Sequence, residues 1–244
     1  MSVLLLRLAA PMQSWGTSSR FARRNTDRTP SKSGIVGMLA AAAGRRRTDS
    51  VEDLCGLRFG VRVEQPGQLE RDFQTARPVD GSAPLPLSYR FYLSDAVFLA
   101  AVEGDPAMVG GLRDMLRAPV FPLYLGRRSC PPAGKLIVGI REGTTEEVLG
   151  NEPWQASPGV QARHPKPTVS LETVIDCEPG ATNSELVHDE PVSFDPRHRQ
   201  HGWRSILRGH APNVPNPRYR PATAPVRAVP DPHDPMALLT EGAP

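Results

Sequence analysis

Residues 31–44 read SKSGIVGMLAAAAG. Pro30 and Ser31 form a helix start, Ile35, Val36, Met38 and Leu39 supply an apolar stripe, and Gly44 ends the helix. Gly34, Gly37 and the run Ala40 to Ala43 leave its surface smooth, so it can lie close against a sheet. The flanking segments supply that sheet. VLLLRL (Val3–Leu8) is a short apolar run that reads as a buried strand, and LRFGVRV (Leu57–Val63) alternates with period two, as a strand with one solvated face does. FYLSDAVFLAAV (Phe91–Val102) holds one or two more strands, MVGGLRDML (Met108–Leu116) a second helix, and Val120–Leu125 and Leu136–Ile140 complete the set. This β-α-β-β-α-β order predicts an α+β fold: a ferredoxin-like antiparallel sheet carrying two helices.

The segment from about Glu64 to Ser88 interrupts that order. It contains RDFQTARPVDGSAPLPLSYR and reads as the extension of a β-hairpin with Gly81 near its tip. Beyond Gly143 the composition changes, and short strands are expected at Thr168–Ile175, Glu185–Phe194 and Trp203–Leu207. Residues 211–244 hold nine prolines in 34 positions and read as an extended or disordered tail. The resulting division is 1–143 for the sheet domain, 144–210 for a small β-rich extension and 211–244 for the tail.

Charge is unevenly placed. The chain of 244 residues is +3 overall, but residues 1–47 carry nine basic side chains against the single acid Asp27, a net +8 that leaves −5 for the rest. Most of this charge surrounds APMQSWGTSSRFARRNTDRTP, a long loop without apolar periodicity. A basic end on a nearly neutral chain is the footprint of a polyanion binder. The opening apolar run is short and interrupted by Arg7, which predicts neither a signal peptide nor a membrane span and hence a cytoplasmic protein. Cys55, Cys130 and Cys177 fit neither a disulfide framework nor paired zinc ligands.

The helix start TPSKSG resembles an anion site, with Lys32 and the Ser31 and Ser33 hydroxyls beside free amides. It is not a Walker A loop, because the required glycines are missing; an ordinary capped helix is the alternative. Trp15 can stack a base from the basic loop or plug the edge of the core. Motifs for metal, cofactor or acyl-transfer chemistry are absent, so no cofactor is expected. His198 and His201, in DPRHRQHGW, are the one pair that could serve acid–base RNA cleavage, and read better as surface residues.

Five blocks then add up to a family. VLLLRLAAPMQSWG, TPSKSGIVGMLAAAAG, LERDFQTA, YRFYLSDAVFLAAV and PLYLGRRSCP, in this order, closely resemble the CasD subunits of type I-E CRISPR Cascade, the "Cas five" family of RAMP proteins. The likeness is strong over residues 1–140 and fades to an echo in HDEPVSFDPRHRQHGW. It implies an RRM-related domain with a protruding thumb, here at about residues 64–92. It further implies a noncatalytic subunit that caps the Cascade backbone and holds the 5′ handle of the CRISPR RNA. The implied partners are that RNA, the neighbouring backbone subunit, the large PAM-reading subunit and, through the assembly, target DNA.

Joined to the basic end, the resemblance nominates Arg20, Arg23, Arg24, Lys32, Ser33, Arg127 and Arg128 for phosphate or base-edge contacts. Trp15 and Tyr89 are nominated for stacking, and Arg71, Gln74 and Arg90 for thumb contacts. Type I-C relatives cut precursor RNA by a metal-independent 2′-hydroxyl attack using tyrosine, lysine and histidine. This chain has no histidine before residue 164 and no lysine between Lys32 and Lys135. That arrangement is missing from the core, so a noncatalytic role follows, and a processing endoribonuclease is kept as the alternative reading.

Overall fold

The computed structural model describes residues 1–17, 23–81, 83–84 and 86–221. Arg20 and residues 222–244 of the expected tail lie outside the described residues. The first half of the chain runs β1 (Ser2–Ala9), β2 (Met12–Gln13), β3 (Arg23–Arg24), α1 (Lys32–Ala42), α2 (Glu52–Cys55), β4 (Arg58–Gln65), β5 (Gln68–Gln74), β6 (Ser88–Ser94) and β7 (Val97–Gly104). It continues with α3 (Pro106–Arg117), β8 (Ile137–Glu142), α4 (Thr145–Asn151), α5 (Pro158–Arg163), β9 (Thr168–Asp176), β10 (Glu185–Ser193) and β11 (Gln200–Pro215).

The four strands of the β-α-β-β-α-β pattern lie side by side as β4-β7-β1-β8, all antiparallel. The mixed fold with its large antiparallel sheet is the one expected. β1 sits inside the sheet with both faces covered, which is why its sequence is apolar without alternation. Leu4, Leu6 and Leu8 join one core with Ile35, Met38 and Leu39 of α1 and Val109, Leu112 and Leu116 of α3. Val3 and Leu5 join a second with Leu99, Val148 and Leu149, beneath α4. The strands after Gly143 extend this sheet past β4 in the order β9, β11, β10, and residues 211–215 complete β11.

Two expectations need correction. Val120–Leu125 is not a strand: the amides of Val120 and Phe121 donate to Ala42 and Ala41 at the end of α1, so their hydrogen bonds go to a helix terminus. The polar face of Leu57–Val63 is not solvated either. Arg62 is fully buried, its guanidinium 2.6 Å from Glu64 and bonded to the carbonyls of Leu149, Glu152 and Pro153. Glu64 also accepts from the Gln155 amide at 2.7 Å. Burial pushes the Glu64 carboxyl above its ordinary pKa, against the opposing pull of Arg62. The pair pins residues 149–155 over β4. Among the described residues no helix is long and apolar enough to cross a membrane.

Candidate nucleic-acid interface

A second, small sheet stands on the first. β6 pairs with β5 to form the hairpin, from Gln68↔Ser94 to Gln74↔Ser88, and its other edge takes β2 near the root and β3, in parallel, further out. Two residues of the basic loop thus form a strand of the hairpin sheet, with Arg23 beside Tyr89 and Arg24 beside Arg90. Gly81 turns with φ +78° at the far end of the hairpin.

Alternation sorts the side chains onto two faces. One carries Arg71 and Phe73 opposite Phe91 and Tyr89, with Arg23 alongside. The Arg23 guanidinium lies 5.1 Å from the Phe91 ring centre and that of Arg71 lies 5.5 Å from Tyr89. Phe73 is 66% exposed and Tyr89 39%. The other face carries Arg24, Arg90, Gln74 and Tyr92, and Arg127 is set over Tyr92 at 4.7 Å. Gln74 therefore does not share a face with Arg71. Phe91 was missed by sequence reasoning, although its two-residue spacing from Tyr89 marks the shared face.

Arg127 donates from Nη2 to the carbonyl of Arg24 at 2.8 Å, while its Nη1 and the Nε of Arg90 are buried without a hydrogen-bond partner. Arg128 is exposed on the same turn. Gly126 makes the turn with φ +83°, and a Cβ there would fall 1.7 Å from the Ser14 carbonyl oxygen. The backbone it approaches is the chain's own. Cys130 is buried in the main core, and burial raises its thiol pKa, so it is a filler beside the arginines.

Three nominated residues are placed elsewhere. Trp15 is 1% exposed: its Nε1 donates to Gln13 at 3.1 Å, and its ring occupies the space that a Cβ on Gly34 would need. It plugs the core edge, and its carbonyl accepts from the Asp27 amide to hold the end of the basic loop. Lys32 is 6% exposed and forms ion pairs with Asp176 at 3.2 Å and Glu190 at 3.0 Å. The Lys32 amide at the head of α1 donates to Asp189 at 2.8 Å, so the anion at this helix start is an internal carboxylate. Ser33 is buried beside the Ser31 cap. Nothing in the local sequence reveals this, because the three acids lie more than 140 residues away.

Charge pairing separates two kinds of arginine. Arg45, Arg58, Arg62, Arg141, Arg204 and Arg208 form ion pairs that serve the fold. Arg23, Arg24, Arg71, Arg90, Arg127 and Arg128 are paired with no described carboxylate. Those six gather on the hairpin sheet and the turn against it, among exposed aromatic rings, an arrangement suited to phosphates and stacked bases. His198 bonds the Gln200 side chain at 2.6 Å, and the His201 carbonyl lies 2.8 Å from Nε2 of His188.

The family model "CRISPR-associated protein (Cas_Cas5)" matches residues 3–206. The Escherichia coli (strain K12) protein "CRISPR system Cascade subunit CasD" is 31% identical over 175 residues, 62% of this chain and 78% of that protein. A chain of a solved CRISPR RNA-guided surveillance complex superposes with a TM-score of 0.73 at 33% identity, covering 90% of this chain and 94% of that one. A second solved structure, a Cas protein, gives 0.67 at 36% identity, covering 89% of this chain and all of that one.

Proposed function

The chain belongs to the CRISPR-associated Cas5 family, and from that premise we propose that it is a CRISPR RNA-holding subunit of a Cascade-type surveillance complex. In this reading it caps the backbone, grips the 5′ handle of the guide, and packs against the neighbouring backbone subunit and the large PAM-reading subunit. Guide pairing then selects the DNA target. The observation that carries the reading is the grouping of six arginines, paired with no described carboxylate, on the two faces of the hairpin sheet and the turn against it, with Arg23 and Arg71 beside Phe91 and Tyr89 and Arg127 over Tyr92.

The division of labour follows from the two faces. Arg71, Phe73, Tyr89, Phe91 and Arg23 form a stacking platform with cationic edges, suited to unpaired bases. On the other face Arg24 lies beside Arg90, which has Asp72 opposite it, and Arg127 covers Tyr92, placing guanidinium groups suited to a phosphate along this side. The role is to hold RNA in one shape, with no cutting step.

Incubating the purified chain with end-labelled CRISPR repeat RNA in EDTA tests this directly. Retention of intact RNA, weakening with salt, is the expected result. Site-specific cleavage lost on His198→Ala or His201→Ala would establish the endoribonuclease instead.

A further inference from the structure

The motif DPRHRQHGW is not used by the hairpin sheet. It leads into and opens β11, beside the edge strand β10, and there the chain sorts its charges by face. The acids of HDE (188–190) turn inward: Asp189 bonds Arg204 and the head of α1, and Glu190 pairs with Lys32. Trp203 turns outward at 64% exposure, whereas Trp15 and Trp154 are 1% and 5% exposed. Its ring centre lies 4.8 Å from that of His188, itself exposed, and the His201 ring is 6.2 Å further along the row.

The surroundings of this ring pair are basic. Arg197 and Arg199 are exposed and pair with no described carboxylate, while the nearby Glu185 is taken by Arg208. Burial and the positive fields of Arg199 and His188 lower the His201 pKa, against the pull of Asp189. An exposed indole tilted against an imidazole, with exposed guanidinium groups in the segment that leads into the strand and Asp189 and Glu190 turned to internal partners, suits an unpaired base and its phosphates.

We infer that Trp203 and His188, with Arg197 and Arg199, form a second contact for single-stranded RNA, separate from the thumb. The inference rests on the RNA-binding reading above and extends the path of the RNA onto the C-terminal strands.

Fluorescence anisotropy of a labelled oligouridylate with the full chain tests it, comparing Trp203→Ala, Trp203→Phe, Arg197→Ala/Arg199→Ala and the thumb variant Phe73→Ala/Tyr89→Ala. Loss of the exposed ring is expected to weaken binding about tenfold, with Trp203→Phe retaining most of the affinity. Unlabelled oligouridylate should also quench the tryptophan emission of the wild type and of the thumb variant. Affinity unchanged by Trp203→Ala, with no quenching by RNA, overturns the inference; if the thumb variant still loses binding, the proposed function stands without it. Shielding of Trp203 from acrylamide by added Cascade subunits, but not by RNA, overturns it in favour of a protein contact.

Discussion

Arg127 Nη2 lies 2.8 Å from the carbonyl oxygen of Arg24, joining the turn after Leu125 to the basic loop across 103 residues of sequence. One guanidinium thereby braces the loop, covers Tyr92 and keeps Nη1 free of protein partners. Arg127→Ala should weaken RNA binding about tenfold and lower the slope of log affinity against log salt by about one, measured by filter binding over a salt series. Arg127→Lys should recover part of the salt slope but little of the affinity, because an ammonium cannot fork onto the carbonyl while covering the ring.

Stacking and charge should separate experimentally. Phe73→Ala/Tyr89→Ala removes two rings from directly opposite positions of β5 and β6. Affinity for repeat RNA should fall by about 1–3 kcal/mol per base unstacked. The salt slope should be that of the wild type, since no phosphate contact is lost.

Lys32 offers the opposite test. Lys32→Met leaves Asp176 and Glu190 without their ammonium partner in a mostly buried site. Breaking a buried pair in this way should cost about 3 kcal/mol of stability in urea titration. RNA affinity of the folded protein should be unchanged. A specific loss of affinity without loss of stability would return Lys32 to the interface.

Asp27 is the only acid among the first 47 residues, and its Oδ2 is buried without a hydrogen-bond partner. Burial raises its pKa, the Asp189 charge adds to the rise, and a hydrogen bond from Thr17 opposes it. Because the folded pKa exceeds the unfolded one, the folded state favours the protonated acid. Its stability is greatest below the unfolded value and declines as pH rises through the folded value. Asp27→Asn should therefore melt about 2 °C higher than wild type at neutral pH, with the gap closing in acid, as followed by circular dichroism.

Gly126→Ala places a methyl group on the Ser14 carbonyl at a left-handed position. Destabilisation above about 2 kcal/mol is expected, seen as a melting point lower by roughly 5 °C or more. RNA binding should fall with it, since the same turn carries Arg127 and Arg128.

The core strands and both main helices were legible because their signals are local. Ser31 caps α1 by accepting from the Gly34 amide, Asp105 caps α3, and the unbroken apolar run of β1 announces a strand buried on both faces. Val120–Leu125 misled because an apolar run reads alike whether its amides join a sheet or close a helix end. Arg62 misled because period two looks the same whether the polar side meets water or a buried carboxylate.

By itself the sequence determined the order of elements, the concentration of basic charge in the first 47 residues and the family motifs, all of which depend on neighbouring residues. Only the tertiary structure decided which cations and rings are available. Lys32 and Trp15 were consumed by the fold, Lys32 through acids more than 140 residues away and Trp15 through the smooth face of α1. Arg23, Arg71 and Arg127 were left facing outward or unpaired. Ion pairing and burial depend on distance in space, and chain position does not encode that distance until the sheet has brought β9 and β10 against α1.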